Sequence, residues 1–170
     1  MRYHPFYCEE NAYHLAGHEV FAGRRRYVAF ITNADRSVAM WHQRAARRPG
    51  TAIVWDYHVI VIAEGPWEVW DLDTTLAFPV AASEYLRRSF RAGTPEEFWP
   101  SFRLTEAERF REVFATDRSH MRRKDGRYLR PPPPWETIGQ GSNLARFMDL
   151  EDSIAGEVLT LAELGALIAR

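Results

Sequence analysis

The spacing of apolar positions changes along the chain. In CEENAYHLAGHEVF (8–21), Cys8, Ala12, Leu15, Ala16 and Val20 share one stripe at helical spacing. Glu9 and Glu10 fall in the first turn, where the helix dipole favours acids. RYVAFITN (26–33) reads as a strand, TAIVWDYHVIVIA (51–63) as a second and WEVWDLD (67–73) as a third, with a turn at Glu64-Gly65-Pro66. ASEYLRRSF (82–90) reads as a helix, and Thr94-Pro95-Glu96-Glu97 and Thr105-Glu106-Ala107-Glu108 as two further helix starts. DRSHMRRKDGRYLRPPPPWE (117–136) reads as a long ordered loop with a polyproline segment at 131–134. A short strand, EVLTL, precedes a last helix capped at Thr160. Helices bracket strands expected to pair as sequence neighbours. The expectation is an α+β fold with a mostly antiparallel sheet.

Composition narrows the picture. A chain of 170 residues with 46% hydrophobic content can bury a substantial core, so residues 1–170 are expected to form one domain. A net charge of -1 gives no global field for nucleic acid or anionic lipid, and neither is expected as a partner. Apolar runs such as VIVIA are too short to cross a membrane, and MRYHPFYCEEN has no apolar signal-peptide core. The one cysteine, Cys8, can form no internal disulfide, which fits a cytoplasmic protein. A monomer is expected.

Two polar groups interrupt the apolar strands. Side chains alternate along a strand, so Asp56 and His58 share a face with Ile60 and Ile62. A hairpin centred on Glu64-Gly65 would set His58 opposite Asp71, and Asp56 opposite Asp73, with opposed Cβ atoms roughly 5 Å apart. Asp71 would then accept the Nδ1–H bond of the imidazole and fix its tautomer. Such a pair is either a satisfied buried histidine or half of a catalytic device. Cys8 turns the reading towards catalysis. At a helix start the dipole lowers a thiol's pKa, and free N–H groups offer an oxyanion hole. His14 and His18 have the i, i+4 spacing of a metal pair but lack a third ligand, so they read as helix surface.

Six ordered blocks then carry a resemblance. YCEEN (7–11), WDYHV (55–59), DLDT (71–74), FP (78–79), DRSHM (117–121) and PPPPW (131–135) resemble the protein N-terminal glutamine amidohydrolases, whose hallmark is WDYHV. The likeness runs from residue 6 into the C-terminal helix. It departs at Phe6, where a cysteine is often found, and in a short loop between WDYHV and DLDT.

The resemblance implies a papain- or transglutaminase-like α–β–α sandwich and a triad of Cys8, His58 and Asp71. It implies deamidation of N-terminal glutamine to glutamate with release of ammonia, an N-degron type of modification, with no metal or organic cofactor. In that scheme His58 takes the thiol proton, returns it to ammonia and activates water. Protein or peptide substrates with a free N-terminal glutamine need an anion for their ammonium, and Glu9, Glu10, Asp56 and Asp73 are the candidates. Asp117, Ser119 and His120 are expected to line the substrate cleft. Transglutaminase-like acyl transfer and a non-catalytic N-terminus-binding module are the alternatives.

Overall fold

The computed structural model describes residues 1–170. Eight strands and five α-helices follow in order: α1 (Cys8–Ala16), β1 (Arg26–Thr32), β2 (Val38–Met40), β3 (Ile53–Trp55), β4 (His58–Ala63), β5 (Glu68–Trp70), β6 (Val80–Ala81), α2 (Ala82–Ser89), β7 (Ser101–Glu106), α3 (Ala107–Val113), α4 (Leu144–Met148), β8 (Glu157–Thr160) and α5 (Leu161–Ile168). Six strands form one sheet in the order β6-β5-β4-β1-β7-β8, and every pairing in it is antiparallel. The mixed α/β architecture with an antiparallel sheet agrees with the pattern of the sequence.

The central strands explain the continuous apolar runs. All six residues of β4 are buried, because helices cover both faces of the sheet. Val28, Phe30, Val59 and Val61 pack with Leu15 of α1, Phe110 of α3 and Phe147 of α4. On the other face Ala29, Ile31, Ile60 and Ile62 pack with Tyr85 and Leu86 of α2 and Leu164 of α5. A strand covered twice shows no polar alternation. The last helix starts as expected: Thr160 and Glu163 close a capping box.

Several expectations need correction. The strands do not pair as sequence neighbours throughout, for β1 lies between β4 and β7. The run 51–63 is two strands. β3 pairs with β2 in a separate small sheet, and the chain bends at Asp56-Tyr57 before β4. The first helix ends at Ala16, and a 3-10 turn at Glu19–Phe21 is capped by His18, which accepts the Val20 N–H. Thr94-Pro95-Glu96-Glu97 opens only a 3-10 turn.

The segment Ser101–Glu106 is a strand that the polar residues Arg103 and Thr105 disguise. Phe102 and Leu104 face the α2/α5 core. Arg103, 1% exposed, donates to the carbonyls of Phe147, Ala155 and Asp149. A buried cation is tolerated there because the folded 147–155 segment supplies acceptors.

The hairpin register is also corrected. β4 and β5 pair Val61 with Trp70, Ile62 with Val69 and Ala63 with Glu68. The offset from the expected register is two residues, so every side chain keeps its face. His58 and Asp71 are therefore not ladder partners, and neither are Asp56 and Asp73.

Candidate active site

The dipeptide Tyr57-His58 sits where β4 begins, and its two side chains go to opposite faces of the sheet. Each finds a buried carboxylate. His58, 1% exposed, donates from Nε2 to Asp71 Oδ1 at 2.9 Å. Tyr57 donates its hydroxyl to Glu9 Oε2 at 3.1 Å. β5 stops at Trp70, which frees Asp71 to turn back towards the start of β4. The imidazole contact is through Nε2, not Nδ1 as expected, and this leaves Nδ1 without a contact to Asp71. Trp55 stacks on the imidazole at 5.7 Å between ring centres.

Asp71 is held from four sides. Oδ1 accepts His58 and the Asp73 N–H at 2.9 Å, and Oδ2 accepts Gln43 Nε2 at 3.0 Å and the Tyr85 hydroxyl at 2.8 Å. Burial favours the neutral acid, but His58 and these donors outweigh it and hold Asp71 below the ordinary carboxylate range. For His58, burial favours the neutral ring, yet Asp71 prevails and the imidazole's pKa is raised. The two directions agree on an imidazole stabilised in its charged form.

Cys8 opens α1. The first intrahelical bond runs from Asn11 N–H to the Tyr7 carbonyl, so the N–H groups of Cys8, Glu9 and Glu10 have no partner within the helix. The thiol donates to Glu9 Oε2 at 3.7 Å. Its pKa is not lowered as the helix start suggested. Desolvation pushes it well up, and the carboxylates of Glu9 and Asp73 add to the effect. Its surroundings therefore favour the thiol over the thiolate.

Cys8, His58, Asp73, Asp56 and His120 line one cavity of about 360 Å³, with Phe6, Met121, Leu129 and Met148 among its apolar walls. The structure thus brings the sulfur, the imidazole and three of the candidate binding residues together. Asp73, 9% exposed, accepts the Tyr3 hydroxyl at 2.7 Å, and burial raises its pKa. Asp56 is exposed and accepts the N–H of Tyr57.

Glu10 points elsewhere. It is fully buried, salt-bridged by Arg118 at 2.7 and 2.8 Å, and bonded by Trp135 Nε1 at 2.7 Å. It ties the 117–136 loop to α1. Asp117 and Ser119 are exposed, and their contact is the Ser119 N–H on Asp117 Oδ1. Ligand atoms of His58, Asp71 and Asp73 lie within 4.8 Å of one another. The donors on both oxygens of Asp71 already occupy the positions an ion would need there.

A family model described as N-terminal glutamine amidase matches residues 3–168. The chain belongs to the N-terminal glutamine amidase family. The human "Protein N-terminal glutamine amidohydrolase" is 34% identical, with 95% of this chain and 84% of that protein covered. The Arabidopsis thaliana protein of the same name is 33% identical, covering 97% and 86%. The Drosophila melanogaster one is 36% identical, covering 81% and 72%.

In this member of the amidase family, Gln43 and Tyr85 are site residues that sequence reasoning missed. Gln43 reaches Asp71 because it bridges to Thr74 in a short antiparallel contact. Tyr85 arrives on α2. Neither lies in a recognisable motif.

Proposed function

We propose that this protein is a thiol amidohydrolase that converts the N-terminal glutamine of proteins or peptides to glutamate and releases ammonia. Family membership supports the reaction, and the alternatives of amine transfer and simple binding have no observation in their favour. The observation that carries the residue assignment is the buried His58–Asp71 pair opening on the cavity that also holds Cys8. Helices on both faces of an antiparallel sheet support a papain- or transglutaminase-like arrangement. The chain acts as one catalytic domain, a cytoplasmic monomer.

Each group has a defined task. Neutral His58 takes the proton of the Cys8 thiol, and the sulfur attacks the side-chain carboxamide carbon. Asp71, fixed by Gln43 and Tyr85, orients the ring and supports the imidazolium that forms. Unpartnered N–H groups at the start of α1 stabilise the oxyanion, one such donor being worth roughly 10²–10³ in rate. The nitrogen departs protonated as ammonia, and water hydrolyses the thioester. Asp73 and Asp56 lie on the cavity wall and supply negative charge for the substrate's α-ammonium.

Mass spectrometry of a Gln-initiated peptide tests this. Wild-type protein adds about 1 Da, the change from amide to acid through hydrolysis of an acyl-enzyme, and Cys8→Ala adds nothing. An unchanged mass with wild type, or amine incorporation in place of hydrolysis, contradicts the proposal.

A further inference from the structure

Two histidine–carboxylate pairs open on the cavity that holds Cys8. His58–Asp71 is one. The other is His120–Glu9, with His120 Nε2 at 3.4 Å from Glu9 Oε1 and 3.5 Å from the Tyr57 hydroxyl. Glu9, like Asp71, is wholly buried behind its histidine, and His120, like His58, lines the cavity. In both pairs it is Nε2 that faces the carboxylate.

The second pair is incomplete in an informative way. Glu9 Oε2 accepts Tyr57 and the Cys8 thiol, but Oε1 is buried with no hydrogen bond, and so is His120 Nδ1, so the ring must turn or shift for that nitrogen to reach substrate. Glu10 next door is neutralised by Arg118, whereas the one basic side chain paired with Glu9 is His120, which carries charge only when protonated. A buried carboxylate of this kind needs a cationic partner. Catalytic hydrogen bonds that are long in a free enzyme commonly tighten when substrate is bound.

We propose that His120 is a second catalytic residue, the general acid that protonates the departing ammonia, and that Glu9 is its positioning residue. This rests on the amidohydrolase reading above and replaces the expectation that His58 shuttles every proton. His58 takes the Sγ proton as the S–C bond forms and the carbonyl π pair moves to oxygen. The oxyanion then collapses and the C–N bond breaks, its electron pair staying on nitrogen. The imidazolium of His120 delivers a proton to that pair, and NH₃ leaves. Neutral His120 next takes a proton from water as its oxygen bonds the thioester carbon. The C–S bond breaks, and the sulfur recovers its proton from His58. The sum is amide plus water giving acid plus ammonia.

Leaving-group dependence tests the assignment. A Gln-initiated peptide is compared with the same peptide carrying an N-terminal glutamate γ-methyl ester. An amide nitrogen must be protonated to leave, and methoxide depends on an acid far less. His120→Asn should lose about 10²–10⁴-fold in kcat on the amide, the usual worth of a general acid, and under about 10-fold on the ester. Glu9→Gln should fall the same way by a smaller factor. In His120→Asn the alkaline fall of kcat for ammonia release, which reports loss of the acid, should also vanish.

An equal loss on both substrates, an undiminished rate on the amide, or an alkaline limb unchanged in His120→Asn overturns the proposal. The pH limb decides if the ester is not turned over. Absence of ammonia release by wild type from the Gln peptide would instead reject the amidohydrolase reading, and this proposal with it.

Discussion

His58 Nε2 lies 2.9 Å from Asp71 Oδ1 although Asp71 stands outside the sheet, one position past the end of β5. A carboxylate held outside a ladder by three side chains and one local N–H is not placed by strand register. Asp71→Asn should therefore leave a folded protein with kcat reduced by about 10⁴, the precedent for this change in a triad. Asp73→Asn should act chiefly on KM. Steady-state kinetics of the two variants checks this, and a larger kcat loss in Asp73→Asn would contradict it.

The same pair sets a pH signature of stability. Asp71 is held below its ordinary value of 3.8, so its contribution is present above that pH and is lost as pH falls through the lowered folded value. Tyr85→Phe removes one donor to the carboxylate, a bond worth about 1.5–3 kcal/mol. It should lower stability at neutral pH by that order and move acid unfolding to higher pH. For His58, raised above 6.5, the contribution is present below that value and is lost as pH rises through the folded one. Denaturant unfolding at pH 6 and pH 9 should show a decline in wild type that Asp71→Asn flattens.

Glu10 and Arg118 form a buried ion pair that ties the 117–136 loop to the first helix. Arg118→Met leaves the Glu10 charge buried with only Trp135 to bond it, and should cost about 3–5 kcal/mol. Glu10→Gln in the same chain should recover part of that loss. Equilibrium unfolding of the single and double variants reads both values.

Cys8 should be a slow target in the resting protein. Desolvation and the Glu9 and Asp73 carboxylates hold its pKa well above the ordinary 9.0, so alkylation depends on a small thiolate fraction. Iodoacetamide labelling should accelerate as pH rises from 7 towards 9, and Glu9→Gln should speed it at fixed pH. A rate already maximal at pH 7 would contradict this.

Much of the site was legible because it sits in short local patterns. Cys8, His58 and Asp71 stood out as polar groups at a helix start and in strands, and the blocks around them carried the family resemblance. Their arrangement was less legible. The register was two residues off because the turn spans residues 64–67 between the closing pair Ala63 and Glu68, and the thiol's environment depends on carboxylates that meet only in the fold. Gln43, Tyr85 and Arg118 had no local signal, because each acts on a residue at least 14 positions away. Arg103 and Thr105 hid β7 because their acceptors lie in the 147–155 segment.

The central claim is hydrolysis of a glutamine side chain that is recognised through a free N-terminus. Ammonia release from three peptides of one sequence tests it most directly: free N-terminal Gln, acetylated Gln, and Gln moved to position two. The account predicts ammonia from the first alone, because a buried ammonium needs an anionic partner and Asp73 and Asp56 lie on the cavity wall, alongside Arg36 and Arg130. Comparable release from the acetylated or internal form, or none from the first, would contradict it.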